Sequence, residues 1–252
     1  MKKDVISVED VTISFGSATV LRNINLKVYE GEKLVIYGPS GSGKSVLLKT
    51  MAGLIKPLKG KVLIEGEDWQ NLESQEKHIL AQKIGMLFQK DALFDSMTAI
   101  ENIEFPLKEH FKMTQQEMDH RAIDLLEAVG LADHGHKMPH ELSGGMKRRL
   151  GIARALALNP KIIFYDDPIS GQDPVRGDQM AQLVERIKQQ FNSTVIMVLS
   201  DMNIAFEAAD RMVMVVDQGL LVTGSPQDTK NHSDERVQQF INGRLQGPIH
   251  VG

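Results

Sequence analysis

Apolar and polar residues alternate along Val5–Phe15 and again along Ile24–Tyr29, the period of half-buried strands. Glu30-Gly31-Glu32 follows as a turn. Lys33–Tyr37 is a short continuous apolar run ending at Gly38, which predicts a strand buried on both faces. The pattern turns helical over Lys44–Leu54, while Lys61–Ile64 and Ile84–Phe88 are further strands. From Thr98 to Ala157 the period is mostly helical, with few β-branched runs. Strand, helix and strand then return at Ile162–Tyr165, Val175–Phe191 and Thr194–Leu199. Met212–Val216 and Leu220–Thr223 predict a hairpin around Asp217-Gln218-Gly219, and a last helix is expected near Asp234–Asn242. The sum is an α/β core interrupted by a helical lobe.

Composition narrows the function. A chain of 252 residues suits one large α/β domain, alone or with an inserted lobe. The net charge of −4 gives no chain-wide basic field, so no nucleic-acid partner is expected. The absence of cysteine excludes disulfides and thiolate metal sites. The N-terminus meets acidic residues before any signal-like apolar stretch, and no run of about 18 apolar residues occurs. The expectation is a cytoplasmic protein whose membrane role, if any, comes through a partner.

Two motifs carry chemistry. Gly38-Pro39-Ser40-Gly41-Ser42-Gly43-Lys44-Ser45 fits the phosphate-binding loop G-x-x-x-x-G-K-[ST] in full. Its glycines let backbone N–H groups turn toward phosphate oxygens, and the helix that follows offers its positive end. Lys44 is expected at the β- and γ-phosphates of ATP, and Ser45 on Mg²⁺. The second motif is the strand Ile162–Tyr165, which delivers Asp166-Asp167-Pro168. An acid at the carboxyl edge of a buried strand is the Walker B arrangement. Asp166 is expected in the Mg²⁺ shell, and Asp167 is placed to orient or deprotonate the attacking water.

With these residues in hand, the chain resembles the ABC ATPase family along nearly its whole length. Leu142-Ser143-Gly144-Gly145-Met146 resembles the family signature, and the motif order also matches. The resemblance implies a P-loop NTPase (RecA-like) core over 1–90 and 159–230, with an N-terminal antiparallel β segment. It also implies a helical subdomain at 91–158 and a tail at 231–252. It gives Phe15 the role of stacking on adenine, and Gln89 that of touching Mg²⁺ and reporting to a membrane partner. Ser143, Gly144 and Gly145 would face the γ-phosphate of ATP held by a second copy, at a helix start that attracts anions. Asp173 would lie at the dimer seam. Lys147, Arg148, Arg149 and Arg154 read as a solvated basic face, and His134, His136 and His140 as loop residues.

Within the family, the chain is similar to the ATPases of Mla-type phospholipid transport. Gly85–Gln89, Ala92-Leu93-Phe94, Glu101-Asn102 with Phe105-Pro106, Leu142–Met146 with Arg148-Arg149, and Gly171–Pro174 carry the likeness. So does the tail from Arg236 to Gly243 with Gly247-Pro248. The implied partners are an integral membrane permease, an MCE-type lipid-binding protein and a second ATPase copy, placing the chain peripherally on the inner membrane's cytoplasmic face. Asp91–Met97 would then receive the permease, or alternatively pack inside the helical lobe.

Two catalytic positions depart from the family. Glutamate usually follows the Walker B aspartate, and here it is Asp167. After Thr194–Leu199 the family has a histidine on the γ-phosphate, whereas this chain continues Ser200-Asp201. An anion at Asp201 facing a phosphate is repelled unless a cation or proton intervenes. The expectation is near-normal ATP binding with slow hydrolysis, and a gain in kcat at little change in KM for Asp167→Glu with Asp201→His.

Overall fold

The computed structural model describes residues 3–89, 92–169 and 174–249, the side chains of 174–176 excepted. The chain forms two compact units, 1–73 with 194–252, and 74–193.

In the first unit, β1 (Asp4–Phe15) pairs antiparallel with β2 (Ala18–Tyr29). On its other side β1 pairs with β4 (Lys59–Ile64), which continues to β5 (Glu67–Asp68). The alternation seen in the sequence is the inward face of this sheet, with Ile6, Val8, Val11 and Ile13 buried. β2 begins six residues before the expected Ile24, because Asn23 at φ 50 interrupts the period while the ladder runs on to Phe15↔Ala18. A left-handed residue shifts the register and hides the alternation from a period-two reading.

The same unit holds β3 (Lys33–Tyr37), flanked by parallel β8 (Thr194–Val198) and β9 (Arg211–Val216). β10 (Gly219–Gly224) closes an antiparallel hairpin on β9. The turn places Asp217 and Gln218 at φ 50 and 63, the left-handed pair that matches strand twist in a two-residue hairpin. Leu34–Tyr37 and all of β8 are buried, as expected of parallel strands covered on both faces. Helices α1 (Lys44–Met51) and α7 (Met202–Ala208) leave the carboxyl ends of β3 and β8, and α8 (Pro226–Lys230) and α9 (Glu235–Ile241) end the unit. Burial pushes the Tyr37 phenol up to about 12. Its hydroxyl bonds Thr223, which also accepts from Thr229 and donates to the Met212 carbonyl. The tail folds back on α9, where the buried Gln239 amide donates to the Ile249 carbonyl and accepts its N–H.

The second unit begins with α2 (Ser74–Ala81), which buries only Leu80 and so carries no apolar stripe for a sequence reading to find. β6 (Ile84–Leu87) and β7 (Ile162–Asp166) pair in parallel, with Leu87 opposite Tyr165. Between them come α3 (Ala99–His110), α4 (Gln115–Ala128) and α5 (Gly144–Ala155), and α6 (Pro174–Phe191) follows β7. Thr98 with Glu101, and Thr114 with Glu117, form reciprocal capping boxes, each cap stabilising its helix by about 1 kcal/mol. Both glutamates are held below the usual carboxylate range by accepting the threonine N–H and hydroxyl. The helices α3 to α5 share their compact unit with β6, β7 and α6.

Candidate nucleotide site

The phosphate loop joins β3 to α1. Gly38 sits at φ 137, and a Cβ there would overlap the Val215 carbonyl on the neighbouring strand β9. Gly43, at φ 103, packs beneath the side chains of Val20 and Leu21, 3.0 Å from where a Cβ would stand. Backbone conformation and close packing thus both demand glycine at the two ends of the loop. The Lys44 ammonium donates to the Gly38 and Pro39 carbonyls at 2.8 and 2.7 Å, spanning the loop. The Ser42 hydroxyl is buried with no hydrogen-bond partner among the described residues. A buried orphan hydroxyl beside an ammonium fits an incoming phosphate, whose oxygens satisfy both.

Phe15 lies at the tip of the β1–β2 hairpin and is 53 % exposed. In the same hairpin, Val20 and Leu21 abut Gly43 of the phosphate loop. An exposed aromatic ring suits stacking on a base.

At the same carboxyl edge, the Leu199 N–H donates to the Ile36 carbonyl and the chain turns into α7. Asp201 is the N-cap of that helix, its Oδ1 accepting from the N–H groups of Asn203 and Ile204 at 2.8 and 3.2 Å. Its carboxylate is therefore committed to its own helix rather than left facing a γ-phosphate. The residue at the strand end is Ser200, one position earlier. Asp201→Ala should cost about 1 kcal/mol of stability by removing the cap, read as a lower thermal midpoint with ATP binding retained. Asp201→His forfeits the same cap, so Ser200→His is the substitution that brings an imidazole to this edge intact.

In the second unit, β6 and β7 carry Gln89 and Asp167 to one edge, each two residues beyond the pair Leu87↔Tyr165. Asp166 and Asp167 are buried, and Asp167 sits at φ 51. Aspartate is one of the few non-glycine residues that tolerates this left-handed conformation. Burial also pushes the Tyr165 phenol up, one residue before the acids. Asp173, with Ser170–Gln172, lies outside the described residues.

Ser143 caps α5, its hydroxyl accepting from the Met146 N–H at 3.3 Å. Gly144 and Gly145 occupy the first turn, and a Cβ on either would meet no atom of this chain. Glycine there costs helix stability on the order of 1 kcal/mol, and no internal packing requires it.

The basic residues after the signature differ from the solvated face read in the sequence. Arg148 donates to the Pro168 carbonyl at 3.0 Å, and Arg149 to the Val129 and Gly130 carbonyls at 3.2 Å each. Arg154 donates to the Ala92 carbonyl at 2.6 Å and lies over the Phe94 ring. The helical spacing of 148, 149 and 154 points these arginines at three separate loops, whose carbonyls they bind. His134 and His140 lie in short 3₁₀ turns. Sequence reasoning gave Asn102 no role, yet it is fully buried and ties down the loop before α3. It exchanges two hydrogen bonds with the Phe94 backbone and donates to the Met97 and Thr98 carbonyls. A polar side chain at the fourth position of the helix, next to the apolar Ile103 and one turn from Ala99, was the available signal.

The comparisons with known proteins decide the family. A family model described as ABC transporter matches residues 21–170, more than half of the chain. The chain belongs to the ABC transporter ATP-binding family. It is 42 % identical over 245 residues to the probable ribonucleotide transport ATP-binding protein mkl of Mycobacterium leprae, covering 97 % of this chain and 70 % of that one. It is 36 % identical over 249 residues to the intermembrane phospholipid transport system ATP-binding protein MlaF of Haemophilus influenzae, covering 99 % and 94 %. A dimeric ATP-binding cassette solved in a post-hydrolysis state with ADP and Pi superposes with a TM-score of 0.78 at 34 % identity, over 85 % of this chain and 96 % of that one. As an ABC ATPase with the P-loop NTPase fold, the chain binds and hydrolyses ATP as the nucleotide-binding subunit of a transporter. Among the described residues, no helix is long and apolar enough to cross a membrane.

Proposed function

We propose that this ABC ATPase powers phospholipid transport, working on the cytoplasmic face of a membrane through an integral permease and an MCE-type lipid-binding protein. The observation that carries the reading is the likeness to the phospholipid-system ATPase across 94 % of that protein's length. The Mycobacterium relative is named for ribonucleotide transport at higher identity, which makes ribonucleotide export or uptake the second reading. Purification of the chain from membranes with its permease in detergent, followed by mass spectrometry of the bound small molecules, separates the two. Enriched phospholipid supports the proposal, and enriched ribonucleotide without lipid overturns it.

In this reading ATP binds with its adenine on Phe15 and its phosphates along Gly38–Ser45. Ser45, Gln89 and Asp166 are the residues that would hold Mg²⁺, which would offset the phosphate charge. Lys44 exchanges its two loop carbonyls for phosphate oxygens, and Asp167 takes the proton of the attacking water. Ser143, with the N–H groups of Gly144 and Gly145, meets the γ-phosphate carried by a second copy, and Asp173 lies at the seam between copies. Residues 92–97, with Phe94 exposed, receive the permease. Binding of ATP then joins two copies, and its hydrolysis releases them.

Gly145→Ala tests the dimer without disturbing the monomer. The added methyl meets open space and favours the helix, so the thermal midpoint should hold or rise. Across the seam the same methyl overpacks, which costs about 1–3 kcal/mol. ATP-driven dimerisation, measured by light scattering, should weaken about tenfold; unchanged dimerisation with full stability would remove the signature from the interface.

A further inference from the structure

The helix that follows Ser143 ends one residue past an unconventional contact. Arg154, in the last turn of α5, is half-buried, and its partial desolvation lowers its basicity. It forms no ion pair among the described residues; its charge rests on the Ala92 carbonyl at 2.6 Å and on the face of Phe94, 5.5 Å from the ring centre. Ala92 is held at φ 50, a left-handed conformation that alanine adopts only under restraint. Phe94 in turn packs against Phe105 of α3, with ring centres 4.6 Å apart, while Asn102 clamps its backbone from both sides. The loop 92–98, which follows Gln89, is thus fixed to α3 by Asn102 and to α5 by Arg154.

We propose that Arg154 is a positioning residue that couples the two ends of this arrangement: displacement of Ser143 moves α5, and Arg154 passes that movement to the loop 92–98. An α-helix of this length is a stiff rod, about 1.5 Å per residue, so a shift at its first turn reaches its last. A guanidinium suits the task because one planar group holds a carbonyl with its fork while its flat face stacks on an aromatic ring, a pairing that the point charge of lysine matches poorly. The inference rests on the reading of Ser143 as the contact for a second copy's nucleotide.

Because the chain has no cysteine, Asp95→Cys gives a unique site on the exposed loop for an environment-sensitive thiol-reactive fluorophore. The experiment uses the full chain in an Asp167→Asn background, so that the ATP-bound state persists. Light scattering reports dimerisation on adding Mg-ATP, and the fluorophore reports the loop. The expected result is a nucleotide-dependent fluorescence change that Arg154→Met and Arg154→Lys each reduce about fivefold or more, with ATP affinity unchanged. Dimerisation without a loop signal in the Arg154 protein overturns the coupling alone, as does a signal that survives both variants. No ATP-driven dimer at all overturns the Ser143 reading on which it rests. Should Arg154→Met not fold, Arg154→Lys decides, since it keeps the charge and the stem but loses the planar fork that makes both contacts at once.

Discussion

Lys44→Ala should lower steady-state phosphate release by about 10²-fold or more, the loss typical of removing one preorganised donor from a developing anion. The fold should survive, because the ammonium donates to the Gly38 and Pro39 carbonyls of its own loop. What is lost is the cation of the cradle that those carbonyls hold. The loop glycines still present N–H groups, but a carbonyl-to-phosphate exchange by the ammonium is no longer available. Charge-assisted hydrogen bonds contribute about 1.5–3 kcal/mol each, so ATP affinity should fall as well as turnover. The check pairs a phosphate-release assay with a thermal melt. Trp69 offers a binding reporter, since its indole donates to the Gly53 carbonyl at 2.9 Å, just past the end of α1. Wild-type turnover in Lys44→Ala, with the melt unchanged, would place hydrolysis somewhere other than this loop.

Much of this was legible in the sequence because its strongest signals are local. A buried strand ending in a glycine-rich turn specifies the phosphate loop, and β3 falls on the expected Lys33–Tyr37. The β9–β10 hairpin likewise follows from a turn whose residues accept positive φ. The early strand of β2, the polar helix α2 and the roles of the α5 arginines were not legible. Each depends on contacts between residues far apart: Arg148 reaches Pro168, and Arg154 reaches Ala92, 62 positions away. A run of basic residues looks the same whether it faces water or carbonyls, until the helix is placed. Asp201 has a local use that its charge does not announce: directly before a helix, it serves as the cap of α7.

Asp167→Asn should abolish turnover, by on the order of 10²-fold or more, while leaving ATP bound and the dimer assembled. The amide keeps the size and the hydrogen-bonding shape of the carboxylate but cannot take a proton. It also tolerates φ 51 as well as aspartate does, so the backbone has no reason to move. Asp167→Glu is the more discriminating change. It extends the carboxylate by one methylene toward the position usual in the family, and a shift of about 1 Å at a reacting group is worth on the order of 10²-fold. Yet glutamate is less at ease than aspartate in the left-handed region, so part of the gain is spent on backbone strain. The geometry therefore favours Asp167→Glu with Ser200→His over the pairing with Asp201→His, because Asp201 is the cap of α7. Measured side by side, kcat should rise in the Ser200→His pair with KM little changed. The Asp201→His pair should show a lower thermal midpoint and a smaller gain. If both pairs turn over at the parent rate, the carboxylate length and the strand-end side chain do not limit hydrolysis, and the rate is set instead by how fast the dimer opens.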